Sequence, residues 1–124
     1  MSSGQLTVFS MQDGNDYYLR AIVKITSSKW TLPVLHTLLN GTKRYHQINV
    51  ALPDITQKVL TDMLRKLERY GFVKRTAYPT VPPKVEYSLT DLGESFATAF
   101  LPAVAWARSN LDELDKTEEL YDLR

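Results

Sequence analysis

One stretch, residues 55–90, constrains the fold more than any other. Ile55, Val59, Leu60, Met63, Leu64 and Leu67 recur at helical spacing and make one apolar stripe. Thr56 can cap that helix, since its hydroxyl can accept from a backbone N–H in the first turn, and Gly71 closes it. The opposite face presents Gln57, Lys58, Thr61, Asp62 and Arg65. After Gly71 the period shifts. Phe72 to Tyr78 and Lys84 to Leu89 are β-rich runs, joined by Pro79-Thr80-Val81-Pro82-Pro83. Two such runs around a proline-stiffened loop predict a hairpin whose tip projects.

The flanking segments read as helices. Residues 1–13 form a loose tail, and Asn15 or Asp16 can cap a helix carrying Tyr17, Tyr18, Ala21, Ile22 and Ile25. Ser27-Ser28 interrupts it. Trp30, Val34, Leu35, Leu38 and Leu39 then repeat at helical spacing, and Asn40-Gly41 supplies the stop. A short segment from Tyr45 to Leu52 ends at Pro53-Asp54. Beyond the hairpin, Thr90 starts a long helical region in which Leu92, Phe96, Phe100, Val104 and Ala107 form an apolar stripe. Pro102 kinks that region or divides it, because proline removes a helix hydrogen bond. The acidic stretch from Leu111 to Arg124 extends it.

Charge is unevenly spread along the 124 residues. Residues 40–90 hold nine basic side chains against four acidic, a net +5, whereas residues 91–124 hold three against eight, a net −5. A basic patch attracts polyanions even on a molecule of net charge +1, because fields are screened over about 10 Å at moderate salt. There is no cysteine, which excludes disulfides, thiolate chemistry and cysteine-ligated zinc, and which fits a reducing, cytoplasmic setting. No apolar run is long enough for a membrane span.

The element order gives the fold class: mainly α with a small β-hairpin, a winged helix-turn-helix. The helix-turn-helix occupies about 45–70 and the wing about 72–89, within a single domain over 14–124. The string Lys58-Val59-Leu60-Thr61-Asp62-Met63-Leu64-Arg65-Lys66-Leu67-Glu68-Arg69-Tyr70-Gly71-Phe72-Val73-Lys74-Arg75, followed by Pro82-Pro83-Lys84-Val85-Glu86-Tyr87-Ser88-Leu89-Thr90-Asp91-Leu92-Gly93, resembles the HxlR family of bacterial transcription regulators. Lys29-Trp30, Gly41 to Tyr45 and Trp106 extend the likeness over roughly residues 27–107. The resemblance implies a homodimer on operator DNA, paired through its first helix and its C-terminal helices at about 91–120. Tyr17, Tyr18, Ile22, Phe96, Phe100, Val104 and Trp106 are the corresponding interface candidates. Some family members sense oxidants with a cysteine that this chain lacks, and the usual paired glycines before Lys-Trp are Ser27-Ser28 here.

In such a domain the second helix of the helix-turn-helix enters the major groove. Gln57 can donate and accept at adenine, Lys58 can reach guanine or phosphate, and Thr61 can touch a thymine methyl. Arg65 is placed for a phosphate, and Thr56 for the helix cap. Asp62 would repel phosphate, so it is expected to sit sideways or read a cytosine. Arg44 and Gln47, with Lys43 beside them, are expected to position the backbone. The wing offers Lys74, Arg75 and Lys84. Trp30, Trp106, Tyr17 and Tyr18 serve either packing or a small-molecule effector pocket of unspecified ligand. The rival to double-stranded DNA is an acidic protein partner docked on the basic middle. Enzymatic readings lack support: His36 and His46 are not at metal spacing, and no phosphate loop or nucleophile motif occurs, so no catalytic residue, metal or cofactor is expected.

Overall fold

A computed structural model describes residues 15–124. The tail expected over residues 1–13 lies outside the described residues. Among the described residues six helices and three strands follow one another: α1 (Asn15–Ile25), α2 (Thr31–Leu39), β1 (Lys43–Arg44), α3 (Tyr45–Ala51), α4 (Gln57–Arg69), β2 (Val73–Tyr78), β3 (Lys84–Leu89), α5 (Asp91–Thr98) and α6 (Leu101–Asp122).

The core forms where the apolar stripes meet. Val34, Leu35 and Leu38 from α2, Ile48 from α3, and Leu60, Met63, Leu64 and Leu67 from α4 are buried with Ile55, Phe72, Val73 and Ala97. The one buried polar side chain among the described residues, Thr31, directs its hydroxyl at the Met63 sulfur, 3.7 Å away. Val59, expected in the α4 stripe, lies at its edge and is 37% exposed.

The end of α4 sets the direction of everything after it. Gly71 takes φ +78°, a conformation that glycine adopts without a steric penalty. The Phe72 N–H then bonds to Leu67 O at 2.9 Å and the Gly71 N–H to Glu68 O at 3.0 Å, so the last carbonyls of the helix are satisfied. Phe72 turns into the core and β2 begins at once. After the hairpin the chain returns to this point. Thr90 N–H bonds to Phe72 O at 3.0 Å, and the Thr90 hydroxyl donates to Gly71 O while accepting from Gly93 N–H at 3.1 Å.

The hairpin is antiparallel and in the expected place, with Val73 opposite Leu89, Arg75 opposite Tyr87 and Tyr78 opposite Lys84. The sheet has a third strand that the residue pattern did not reveal. β1 pairs with β3, placing Lys43 opposite Tyr87 and Arg44 opposite Glu86, so the strand order is β1-β3-β2. Two residues carry no periodicity, and only the pairing defines this strand.

The C-terminal region is divided. α5 ends at Thr98, and α6 starts at Leu101 with Pro102 in its first turn, where the missing N–H costs nothing. The expected stripe is not uniformly buried: Leu92, in the first turn of α5, is 57% exposed, whereas Phe96 on the same helix stacks on Phe72 with ring centroids 4.8 Å apart. α6 runs for 22 residues without a buried one. At the other end, Asp16 does not cap α1; it lies in the first turn and pairs with Arg20 at 2.9 Å.

Gly93 packs so closely on the turn at Phe72 that a Cβ built there would overlap the Phe72 carbonyl group. Gly93→Ala is therefore expected to destabilise the fold by about 1–3 kcal/mol, the range for overpacking a filled site. Urea denaturation measures it.

Candidate nucleic-acid interface

The polar face of α4 is exposed at Gln57, Lys58, Asp62 and Arg65, and its first turn is held from two sides. Thr56 caps it, accepting from Val59 N–H at 3.2 Å. Tyr45 of α3 donates its hydroxyl to Gln57 O at 3.0 Å and lies 3.4 Å from the Thr61 hydroxyl. Thr61 is consequently half-buried, while the Gln57 side chain is exposed. The Asp62 carboxylate is 3.0 Å from Lys58 Nζ, one helical turn earlier. Both side chains are well exposed, so this pair is worth only a few tenths of a kcal/mol.

On α3, Arg44 occupies the N-cap position and its backbone N–H donates to Gln47 Oε1 at 2.9 Å. The Gln47 carbonyl therefore serves the helix start. The Arg44 side chain is exposed and Lys43 is half-buried on the sheet.

Lys84 is restrained on the wing. Its ammonium lies 3.5 Å from Glu86 and 5.0 Å from the centre of the Tyr78 ring. Glu86 raises the Tyr78 phenol above its ordinary range, first by accepting its hydrogen bond and then by its charge. Lys74 and Arg75 are exposed, and at the tip Val81 is fully exposed.

Between α4 and the wing lies a polar cleft of about 390 Å³, lined by Thr61, Leu64, Arg65, Glu68, Arg75 and Tyr87. It unites Thr61 and Arg65 from the helix with Arg75 from the wing. Glu68, Tyr87 and the bracing residue Tyr45 were not singled out from sequence. Hairpin register held the signal for Tyr87, because counting outward from the 79–83 loop places it opposite Arg75.

Of the residues considered for packing or an effector pocket, Tyr17 and Tyr18 meet edge to face with ring centroids 5.4 Å apart. Trp30 packs against the core, whereas Trp106 on α6 and Tyr17 and Tyr18 on α1 are exposed. A different, apolar pocket of about 240 Å³ lies between α2 and the α5–α6 junction, where Pro33, His36, Phe100 and Val104 contribute to its wall. Phe96 and Phe100 join an aromatic ladder with Phe72, leaving Val104 and Trp106 as the more exposed interface candidates alongside Tyr17, Tyr18 and Ile22. Among the described residues no helix is long and apolar enough to cross a membrane, and no group of three potential metal ligands occurs.

Residues 25–115 match the family model described as HxlR-like helix-turn-helix. The HTH-type transcriptional regulator YdeP of Bacillus subtilis is 37% identical over 110 residues, which are 89% of this chain and 86% of YdeP. Among solved structures, the transcriptional regulator ytfH from Salmonella typhimurium aligns with a TM-score of 0.72 at 35% identity, covering 81% of this chain and 89% of that one. The redox regulator HypR in its reduced form aligns with a TM-score of 0.75 at 37% identity, covering 79% of this chain and 97% of its own.

Glu86→Gln is expected to bring the Tyr78 phenol back towards its ordinary value by removing the carboxylate charge. An ultraviolet titration of the tyrosines should show one group ionising earlier than in the parent protein.

Proposed function

Because the chain belongs to the HxlR-like helix-turn-helix family of transcription regulators, we propose that it acts as a homodimer that reads a pseudo-palindromic operator in the cytoplasm. One observation carries the reading: α4, capped by Thr56 and braced by Tyr45, leaves Gln57 and Lys58 exposed at the end that would enter a groove. In this reading Gln57, Lys58 and Thr61 face base edges, while Lys43, Arg44, Gln47, Arg65, Lys74, Arg75 and Lys84 face the backbone or the adjacent minor groove. Two such helices related by a two-fold axis would occupy successive major grooves about 34 Å apart.

The pairing surface in this proposal is built from α1 and α6. Tyr17, Tyr18, Ile22, Val104 and Trp106 are all at least 42% exposed. Exposed apolar side chains grouped on a helix mark a partner site, and in this proposal a second copy covers them. An apolar effector belongs to the same reading, with the pocket beside the α5–α6 junction as its place.

Selection of bound duplexes from a random pool is expected to return an inverted repeat. Gln57→Ala should then lose about 1–3 kcal/mol of preference at one base position per half-site. A protein that enriches no sequence and shifts no duplex at low salt would leave the acidic-partner reading instead. The pairing is tested separately: the parent chain should sediment at twice 14.2 kDa at micromolar concentration, and Val104→Glu should reduce that mass towards a single chain.

A further inference from the structure

We propose that the cleft between α4 and the wing grips a single phosphate of the DNA backbone, held jointly by Arg65 from the helix and Arg75 from β2. This deepens the duplex-binding reading above and rests on it.

The cations of the polar face fall into two kinds. Lys58 is paired with Asp62 and Lys84 with Glu86, so each already has a carboxylate within 3.5 Å. Arg65 and Arg75 take part in no ion pair among the described residues, and both line one concavity.

Strand geometry explains why Arg75 points there. Side chains alternate across a strand, so position 75 shares a face with Val73, which is buried against the helices. β2 runs beyond the core, and the inward position 75 therefore meets the flank of α4 instead of apolar side chains. Directly paired residues also share a face, so Tyr87 stands beside Arg75 and Lys43 beside Tyr87 in one row across the sheet. Arg65 approaches from the other wall, one turn beyond Thr61.

The chemistry of the cleft suits a tetrahedral anion. Two guanidinium groups offer planar forks of N–H donors that match phosphate oxygens, and the Thr61 and Tyr87 hydroxyls add neutral donors. Glu68 lies in the same lining and leaves the cleft with a net +1, which matches the single charge of a phosphodiester. One phosphate held between the helix and the wing would fix the angle at which both meet the duplex.

The test uses the 124-residue chain and a 30-base-pair duplex of random sequence, with affinity measured from low to moderate salt. Each neutralised phosphate contributes about −0.9 to the slope of log affinity against log salt. The double substitution Arg65→Gln and Arg75→Gln is expected to reduce the slope by about 0.9 per bound protomer, since both side chains serve one phosphate. A reduction of about 1.8 would mean two separate phosphates and overturn the joint grip, and an unchanged slope would overturn the site altogether. If the parent chain binds no duplex at low salt, the duplex reading itself fails, which is a different outcome. Circular dichroism checks that the variants fold. Should the glutamine pair unfold, the double Arg→Lys variant serves instead: a retained slope with affinity lowered severalfold supports the forked grip, and unaltered affinity overturns it. Inorganic phosphate at 10 mM, against chloride at matched ionic strength, is expected to change parent affinity less than twofold. A tenfold loss seen in the parent and absent from the glutamine pair would assign the cleft to free phosphate and overturn the backbone assignment.

Discussion

Residues 71, 72, 90 and 93 form a single knot on which the useful geometry depends. Gly71 ends α4 in a left-handed turn, Phe72 enters the core, and Thr90 closes the excursion by bonding to both. The hairpin from Val73 to Leu89 is thus tied at both ends to the tip of the helix it flanks. Without that closure the wing would be a two-stranded ribbon, which is marginal by itself. With it, and with β1 added along β3, strand direction is fixed relative to α4. The cleft holding Arg65 and Arg75 exists only because of this fixed angle.

Features governed by local chemistry were legible in the sequence. The α4 stripe, the Thr56 cap, the Gly71 stop and both strands of the hairpin follow from period, capping and turn residues, and each is where those rules put it. Features created by tertiary pairing were not. β1 is two residues of lysine and arginine, with no pattern to read. Phe96 sits in the same repeat as Leu92, and both lie on α5, yet one stacks on Phe72 and the other, in the first turn of the helix, faces outward. The site shows the same division. Exposure of Gln57 and Lys58 could be anticipated from the helical wheel, whereas the Lys58–Asp62 pair and the bracing by Tyr45 depend on rotamers and on a neighbouring helix.

The electrostatics of the polar face differ from a count of basic residues. A net +5 over residues 40–90 suggests a uniformly positive middle, but internal carboxylates already attend two of its lysines. Such exposed pairs add little to stability, yet they lower the local field at Lys58 and Lys84. The two cleft arginines, by contrast, take part in no ion pair among the described residues, although Glu68 shares their lining. The contrast with HypR, whose solved structures are described as oxidised and reduced forms, lies elsewhere: a chain without cysteine has no thiol to oxidise.

The wing tip has three prolines within residues 79–83, and Thr80 ties the loop internally through its hydroxyl to Pro82 O at 2.8 Å. Proline fixes one backbone torsion before any partner arrives, and ordering a free residue costs about 1–2 kcal/mol. Much of that entropy is already gone from this loop when the chain folds. Val81 is therefore displayed on a rigid stalk, and a surface it touches would be met by a shape that is set in advance instead of one that must first be moulded.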